Sequence, residues 1–402
     1  MSSSQELGGS RSITRVPIIV MLGLTVLVVV VGGLRFARMD VAGTSFFATD
    51  RYYTFQAPGE DRIENLNIDL AQYLSMVEKG RGDAGAFEHF TPYPEFASNP
   101  DAVSGPVAPF IHRPAIPYLA SLLPFGVVAS LALVNLVLVV AGLWFLVDAL
   151  AVGGRSPTAQ IIGGLLYAVA LPVLVFASSL YIDGGTMAVF VIGYWLIVRR
   201  YWVAFALFLP ISFLFKEAIL MIAPVAAVAW WQAGRSLRDR RFLIGGGLSI
   251  VAWVAVMQIV RVSASEPVLS YTLMPKWSYL GGNIVNVESM VFVALGLAPV
   301  MVLALAETWH LYRRHHWRGM LERAGVDVTG LGVVVAVNAY SVVATDLTLR
   351  TFWLVFPFAI SLTARCIDRR FIVDGHLVLR PPRPSAGRPG PDDRAGSTPA
   401  GR

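Results

Sequence analysis

Residues 126–149 read GVVASLALVNLVLVVAGLWFLVDA, and no charged side chain interrupts the run before Asp148. As a helix rising about 1.5 Å per residue it spans about 36 Å, enough to cross a hydrocarbon core of about 30 Å. A bilayer offers unpaired backbone groups no water, so only helices and closed barrels are stable inside it. The run is too long and too uniformly apolar for a barrel strand. It predicts a transmembrane helix.

Comparable runs recur at 16–34, 159–178, 184–198, 201–215, 218–232, 242–262, 288–307, 329–345 and 351–366. Composition agrees: 55% of the 402 residues are hydrophobic and 14% are charged, with a mean hydropathy of +0.62. A soluble domain carries about 25% charged residues. The expected fold is therefore an all-α polytopic membrane protein with about ten transmembrane helices and a long first extracytoplasmic loop.

Arg11 and Arg15 precede the first run, and no A-x-A-like site follows it, which favours an uncleaved span over a signal peptide. Alternate threading from a cytoplasmic N-terminus assigns Arg155, Arg199, Arg200, the arginines of 235–241 and 313–323, Arg365, Arg369 and Arg370 to inner loops. The short outer loops receive Lys216, Arg261, Lys276 and Arg350. This is the positive-inside bias, and it predicts a multi-pass plasma-membrane protein with both termini cytoplasmic. Residues 1–16 form the cytoplasmic N-terminus, and 17–366 the membrane domain with extracytoplasmic loop 35–115. The Pro-, Gly- and Arg-rich 367–402 form a largely disordered cytoplasmic tail. Within the loop, 63–79 is expected to be helical and 115–125 a short amphipathic or re-entrant piece.

Although the net charge is +6, the basic residues punctuate apolar runs instead of forming a face, so no nucleic-acid partner is expected. The single cysteine, Cys366, excludes an internal disulfide. No zinc-type Cys/His spacing, Gly-rich nucleotide loop or G-x-S-x-G elbow occurs. No metal site and no cofactor are expected, and a divalent-ion requirement is not legible.

The unusual polar residues gather at the outer ends of the spans. Lys216 and Glu217 interrupt the apolar stretch 202–231, where each charge at a helix centre costs about 2.5–3.5 kcal/mol. As the cap of a hairpin with arms of about 15 residues, roughly 22 Å each, the pair lies below the outer headgroup level. There it can meet a lipid-linked phosphate, or form an internal Lys216–Glu217 pair without a ligand. Asp69 and Tyr73 are four apart and share a helix face, where a carboxylate can accept the proton of an attacking hydroxyl or be merely a solvated helix residue. Arg113, ahead of 115–125, can grip a phosphate bidentately or snorkel to headgroups, and His112 reads as an interfacial histidine. Asp183 can cap the helix it opens or touch substrate, and Asp346 and Arg350, also four apart, can pair with each other.

The order of these elements resembles the GT-C superfamily of membrane glycosyltransferases, which includes protein O-mannosyltransferases and lipid A aminoarabinose transferases. The resemblance rests on Asp69-x-x-x-Tyr73 in a long first outer loop, His112-Arg113-Pro114-Ala115-Ile116-Pro117, Tyr181-Ile182-Asp183, Phe215-Lys216-Glu217 and Asp346-x-x-x-Arg350 before Phe356-Pro357, across 17–366. It implies a polyprenyl-phosphate sugar donor, a membrane-lipid environment, and an unidentified glycan, lipid or protein acceptor at the outer face. Asp69 would take the acceptor proton. Arg113, Lys216 and Arg350 would hold the donor phosphate, with Tyr73, His112, Asp183 and Glu217 beside them, and transfer would invert the sugar. Many relatives carry an Asp-Glu pair just after the first span, whereas here the nearest acidic residue is Asp40, so Asp40, Asp50 and Asp69 all stand as the first-loop carboxylate. A membrane transporter or lipid flippase is the alternative, and a non-catalytic scaffold the third reading.

Overall fold

The computed structural model describes residues 15–38, 53–94, 105–106, 112–177, 180–236, 238–263, 280–282, 287–344, 350–373 and 376–377, and these are mostly helical. Helix α1 is Ile18–Arg38. Strands β1 (Tyr53–Phe55), β2 (Ile63–Leu66) and β3 (Phe90–Pro92) form a small antiparallel sheet in the order β2-β1-β3. Its register pairs Tyr53 with Pro92 and Phe55 with Phe90, and the Tyr53 and Phe90 rings meet edge to face at 5.7 Å. This corrects the helix expected over 63–79. Residues 63–66 are strand, and α2 occupies Ile68–Gly80. Asn67 is the reason: its extended backbone ends the strand, and its side-chain oxygen accepts the Leu70 N–H at 3.0 Å to start the helix.

Helix α3 (Ala115–Ser121) is shorter than the piece expected over 115–125, and α4 is Val127–Val152. Gly126 offers α4 no side-chain cap, and Glu60 of the loop supplies one by accepting the Val127 N–H at 2.8 Å. Ser156 caps α5 (Pro157–Ala168), with Pro157 in the position where a missing N–H costs nothing. The run 159–178 is not one helix: α5 ends at Ala168, and α6 (Leu171–Phe176) restarts with Pro172 in its first turn. Helix α7 is Asp183–Val198, and α4 packs along it.

The stretch 202–231 is likewise broken, into α8 (Trp202–Ser212), a 3-10 turn (Glu217–Ile222) and α9 (Ala223–Gln232). At 11 and 10 residues, both helices fall short of the 15-residue arms expected. Helix α10 is Arg240–Ser263. Helix α11 (Val287–Ala344) is two helical stretches meeting at a kink, and its non-helical residues, His316 and Ala324, lie between the two runs expected as separate spans. A 3-10 turn (Arg350–Val355) leads into α12 (Phe356–Phe371), which lies against α11 and α5. Helix α12 runs beyond the boundary expected at 366 because Asp368 accepts from the Ser156 N–H at 2.9 Å and Arg369 donates to Glu307 at 2.6 Å. Strands β4 (Ile372–Val373) and β5 (His376–Leu377) pair just after it, and neither was expected in the tail.

By length and composition, α4 and α10 are apolar and long enough to cross a membrane. Leu243, Ile244, Leu248, Ile250 and Val251 of α10 are each between 57% and 65% exposed, and Ile18 (69%) and Ile19 (74%) of α1 more so. The buried core instead runs through α4, α7, α12 and the inner face of α2.

Candidate functional site

Four segments converge at the end of the bundle where α7 begins. Asp69 and Tyr73 lie in α2, 6% and 1% exposed, so the carboxylate is no solvated helix residue. Asn67 anchors the start of α2 by donating to the Tyr181 hydroxyl at 2.7 Å, two residues before Asp183. Gln72 ties the same helix to the Gly105 carbonyl at 2.7 Å.

Arg113 sits just ahead of α3, and the Ala115 N–H donates to the Leu214 carbonyl at 3.0 Å. That bond stitches the start of α3 to the break after α8. Across it the Arg113 guanidinium grips Glu217 with two bonds, Nε to Oε2 at 2.9 Å and Nη2 to Oε1. Its Nη1 lies 3.5 Å from the Tyr73 hydroxyl, a long contact. Burial pushes the Tyr73 phenol well above its ordinary pKa; the Arg113 cation works the other way, and the Asp69 and Asp183 carboxylates add to the rise. Burial also opposes the Arg113 charge, but Glu217 and Tyr73 more than offset it, so its pKa rises and it stays a cation.

Lys216 corrects the expectation for the central pair. Its backbone is extended, φ −171° and ψ 138°, and successive side chains of an extended chain point to opposite sides. Lys216 and Glu217 therefore each take a partner from another element: Lys216 Nζ donates to Asp183 Oδ1 at 2.7 Å, while Glu217 receives Arg113. Asp183 is the first residue of α7, and its carboxylate faces Lys216 there, favoured in addition by the helix dipole. The following Gly184 is required by packing, since a Cβ there would lie 2.4 Å from the Phe176 carbonyl oxygen.

The Lys216–Asp183 pair is nearly sealed, with side chains 10% and 3% exposed. The Arg113–Glu217 pair is open on one side, with Arg113 10% exposed and Glu217 49%. An incoming anion can thus approach the guanidinium from the side that Glu217 occupies. Two fixed cations beside a buried carboxylate suit the binding of a phosphate ester and removal of a nearby proton.

Of the residues singled out from sequence, Asp69, Tyr73, Arg113, Asp183, Lys216 and Glu217 belong to this cluster. His112 is half-buried directly before Arg113. Arg350 opens the 3-10 turn whose Trp353 ring stands 6.3 Å from Phe176, and Phe176 in turn meets Tyr181 at 6.0 Å. The Arg350 side chain, Asp40, Asp50 and Asp346 lie outside the described residues, and with them the expected Asp346–Arg350 pair. Asn67 and Asn135 were missed, and Tyr181 was quoted only as part of the Tyr181-Ile182-Asp183 motif, without a role. Asn135 accepts the Gly185 N–H at 3.0 Å and so fixes the start of α7; a lone Asn inside an apolar run was the available signal. Among the described residues, no group of three or more His, Cys, Asp or Glu is placed to hold a metal ion. Comparison with known protein families, curated proteins and solved structures finds no match to this chain.

Proposed function

We propose that this chain is a multi-pass membrane glycosyltransferase that moves a sugar from a polyprenyl-phosphate donor to an acceptor at the outer face of the plasma membrane. The carrying observation is the convergence of Asp69, Arg113, Asp183 and Lys216 from four separate segments into one buried cluster. The apolar faces of α1 and α10, exposed in the isolated chain, suit contact with lipid tails. The arginine bias of the loops supports about ten spans with both termini cytoplasmic.

In this reading the acceptor hydroxyl attacks the anomeric carbon while Asp69 takes its proton. The bond from that carbon to the phosphate oxygen breaks with inversion. Arg113 and Lys216, with Arg350 as a third candidate, neutralise the charge that develops on the departing polyprenyl phosphate. Asp183 holds the Lys216 ammonium in position, and Glu217 holds the Arg113 guanidinium until the donor displaces it.

A second reading, a transporter or lipid flippase, is favoured by the breaks between α5 and α6 and between α8 and α9, since interrupted helices line many transport sites. Membranes carrying the protein, given labelled polyprenyl-phosphate sugar, separate the two. Transfer that is lost in Asp69→Asn supports the enzyme. Absence of transfer from any polyprenyl donor, together with solute uptake into vesicles, supports transport.

A further inference from the structure

The opposite end of the bundle carries a second assembly of charge that the cluster around Asp183 does not use. In the first half of α11, Trp309 and Tyr312 are 59% and 43% exposed with rings 5.8 Å apart, and Arg313 lies over the Trp309 ring at 5.9 Å. At His316 the backbone takes φ 53°, a left-handed conformation uncommon for a residue with a side chain, and the helix breaks. Directly beyond the break come Trp317, 60% exposed, and Arg318, whose side chain is 87% exposed.

A second basic segment is held against this one. Gln232, at the end of α9, donates to the Glu322 carbonyl at 3.2 Å, and the chain continues into 235–241, where Arg235 covers the Trp230 ring at 4.6 Å. Together 235–241 and 313–323 contain eight arginines against two carboxylates, Asp239 and Glu322. Glu322 is paired with Arg318 at 3.2 Å, and Asp239 accepts the Arg241 N–H at 2.8 Å. From the neighbouring α12, Arg365 and Arg369 face this end but are held by Glu307, which is 0% exposed. Asp327, on α11 beyond the break, accepts from Tyr194 and Ser361. Burial, and then surrounding guanidiniums that include Arg314, hold the His310 and His315 imidazoles below their ordinary pKa. Cationic charge at this surface therefore exceeds what the fold neutralises.

We infer that residues 309–323, with 235–241, form a binding surface for anionic phospholipid headgroups. The inference rests on the membrane reading above, which puts this end at the cytoplasmic leaflet. Exposed Trp and Tyr suit the headgroup level, where an amphipathic ring has one side in hydrocarbon and one in water. Arginines just inside that level draw anionic lipids from the surrounding bilayer. An acidic protein partner would satisfy the charges but would leave three exposed aromatics without a reason to alternate with them.

The test uses the purified full-length chain in equimolar phosphatidylglycerol and phosphatidylcholine, with retained lipids counted by mass spectrometry. The expected result is at least about fivefold enrichment of phosphatidylglycerol, the factor that corresponds to one well-placed basic residue at a charged membrane surface. The exposed triple variant Arg313→Gln, Arg314→Gln, Arg318→Gln should lose most of it without a change in thermal unfolding. A second variant, Arg235→Gln with Arg238→Gln, should lose part of it. Equal retention of the two lipids by the native chain, or undiminished enrichment in both variants, overturns the inference and turns attention to an acidic protein. Release of the chain from membranes by alkaline carbonate would overturn the membrane reading and the inference with it. Loss or retention of sugar transfer bears only on the proposed reaction.

Discussion

Helix α7 carries an ion pair at each end, and the two are built differently. At its start, Asp183 receives Lys216 from a break in the chain. About 24 Å along the axis, Arg199, just past its end, grips Asp148 through Nε at 2.8 Å, and Trp195 donates to the same carboxylate at 2.7 Å. Glu307, Asp327, Ser361 and Arg369, at that second end, all sit on helical stretches of α11 and α12. Their partners are set by the backbone of α4, α7, α11 and α12, so the bonds staple neighbouring helices. Around Asp183 the cations ride on residues that flank helices instead of lying within them, and one carboxylate, Glu217, is half open to solvent. A charge on a helix break can exchange its protein partner for a ligand at small cost to the fold; a staple cannot.

The largest effect expected from this contrast is on the reaction. Asp69→Asn should lower sugar transfer by about 100- to 10,000-fold, the usual yield of general-base catalysis, with the unfolding midpoint unchanged. Transfer at the native rate would remove Asp69 from the mechanism and leave Asp50 or Asp40 as the base.

Stability should respond strongly at the staples. Glu307→Gln leaves Arg365 and Arg369 facing an uncharged amide and should destabilise by about 3–5 kcal/mol, measured as a lowered unfolding midpoint in detergent. Lys216→Met should cost a similar amount by stranding Asp183, whose side chain is 3% exposed. The double variant Lys216→Met, Asp183→Asn should regain most of that stability yet remain inactive in transfer. If the double variant transfers sugar, the break is a structural staple like the others and the contrast collapses.

Smaller is the effect expected of Gly184→Ala, which forces a Cβ towards the Phe176 carbonyl and should destabilise by about 1–3 kcal/mol. Because it displaces the start of α7, it should also weaken donor binding more than an equally destabilising change near Asp148 does. Equal losses of binding in the two variants would argue against a site at this end.

The smallest effect lies in the outer loop. Asp83 accepts from His89 at 2.5 Å and from the Gly85 N–H at 2.8 Å, and these bonds hold its carboxyl below the ordinary value. A depressed native pKa contributes stability above the unfolded value, near 3.9, and loses it as pH falls through the native one. Asp83→Ala should therefore lower the unfolding midpoint slightly at pH 6, with the difference fading below about pH 4. A difference that grows on acidification would show that the pair is not what ties down this loop.

Much of the cluster was legible because charge in an apolar stretch is costly and must be explained. That argument singled out Lys216 and Glu217 without any knowledge of their neighbours, while Arg113 and Asp183 stood out by their places at the outer ends of the spans. Pairing was not legible. Adjacency in sequence suggested a Lys216–Glu217 pair, whereas the extended backbone at Lys216 sends the two side chains to different partners. Strand β2 was hidden within an apparent helix because Ile63–Leu66 is too short to show alternation, and only the Asn67 cap marks the change. The form of the arginine-rich segment was equally hidden, since hydropathy falls there while helical backbone continues up to the kink at His316.

Composition and the spacing of apolar runs by themselves determined a helical chain whose charges are confined to the ends of those runs, because the hydrophobic effect and the cost of burying charge act on each segment locally. Which carboxylate faces which cation was decided only in three dimensions. Those contacts depend on where helices break, at Ser212 and between Ala168 and Leu171, and on the Ala115–Leu214 bond that draws α3 onto the break. Such breaks form when tertiary packing and stray hydrogen bonds outweigh local helical preference, a balance that no single segment contains.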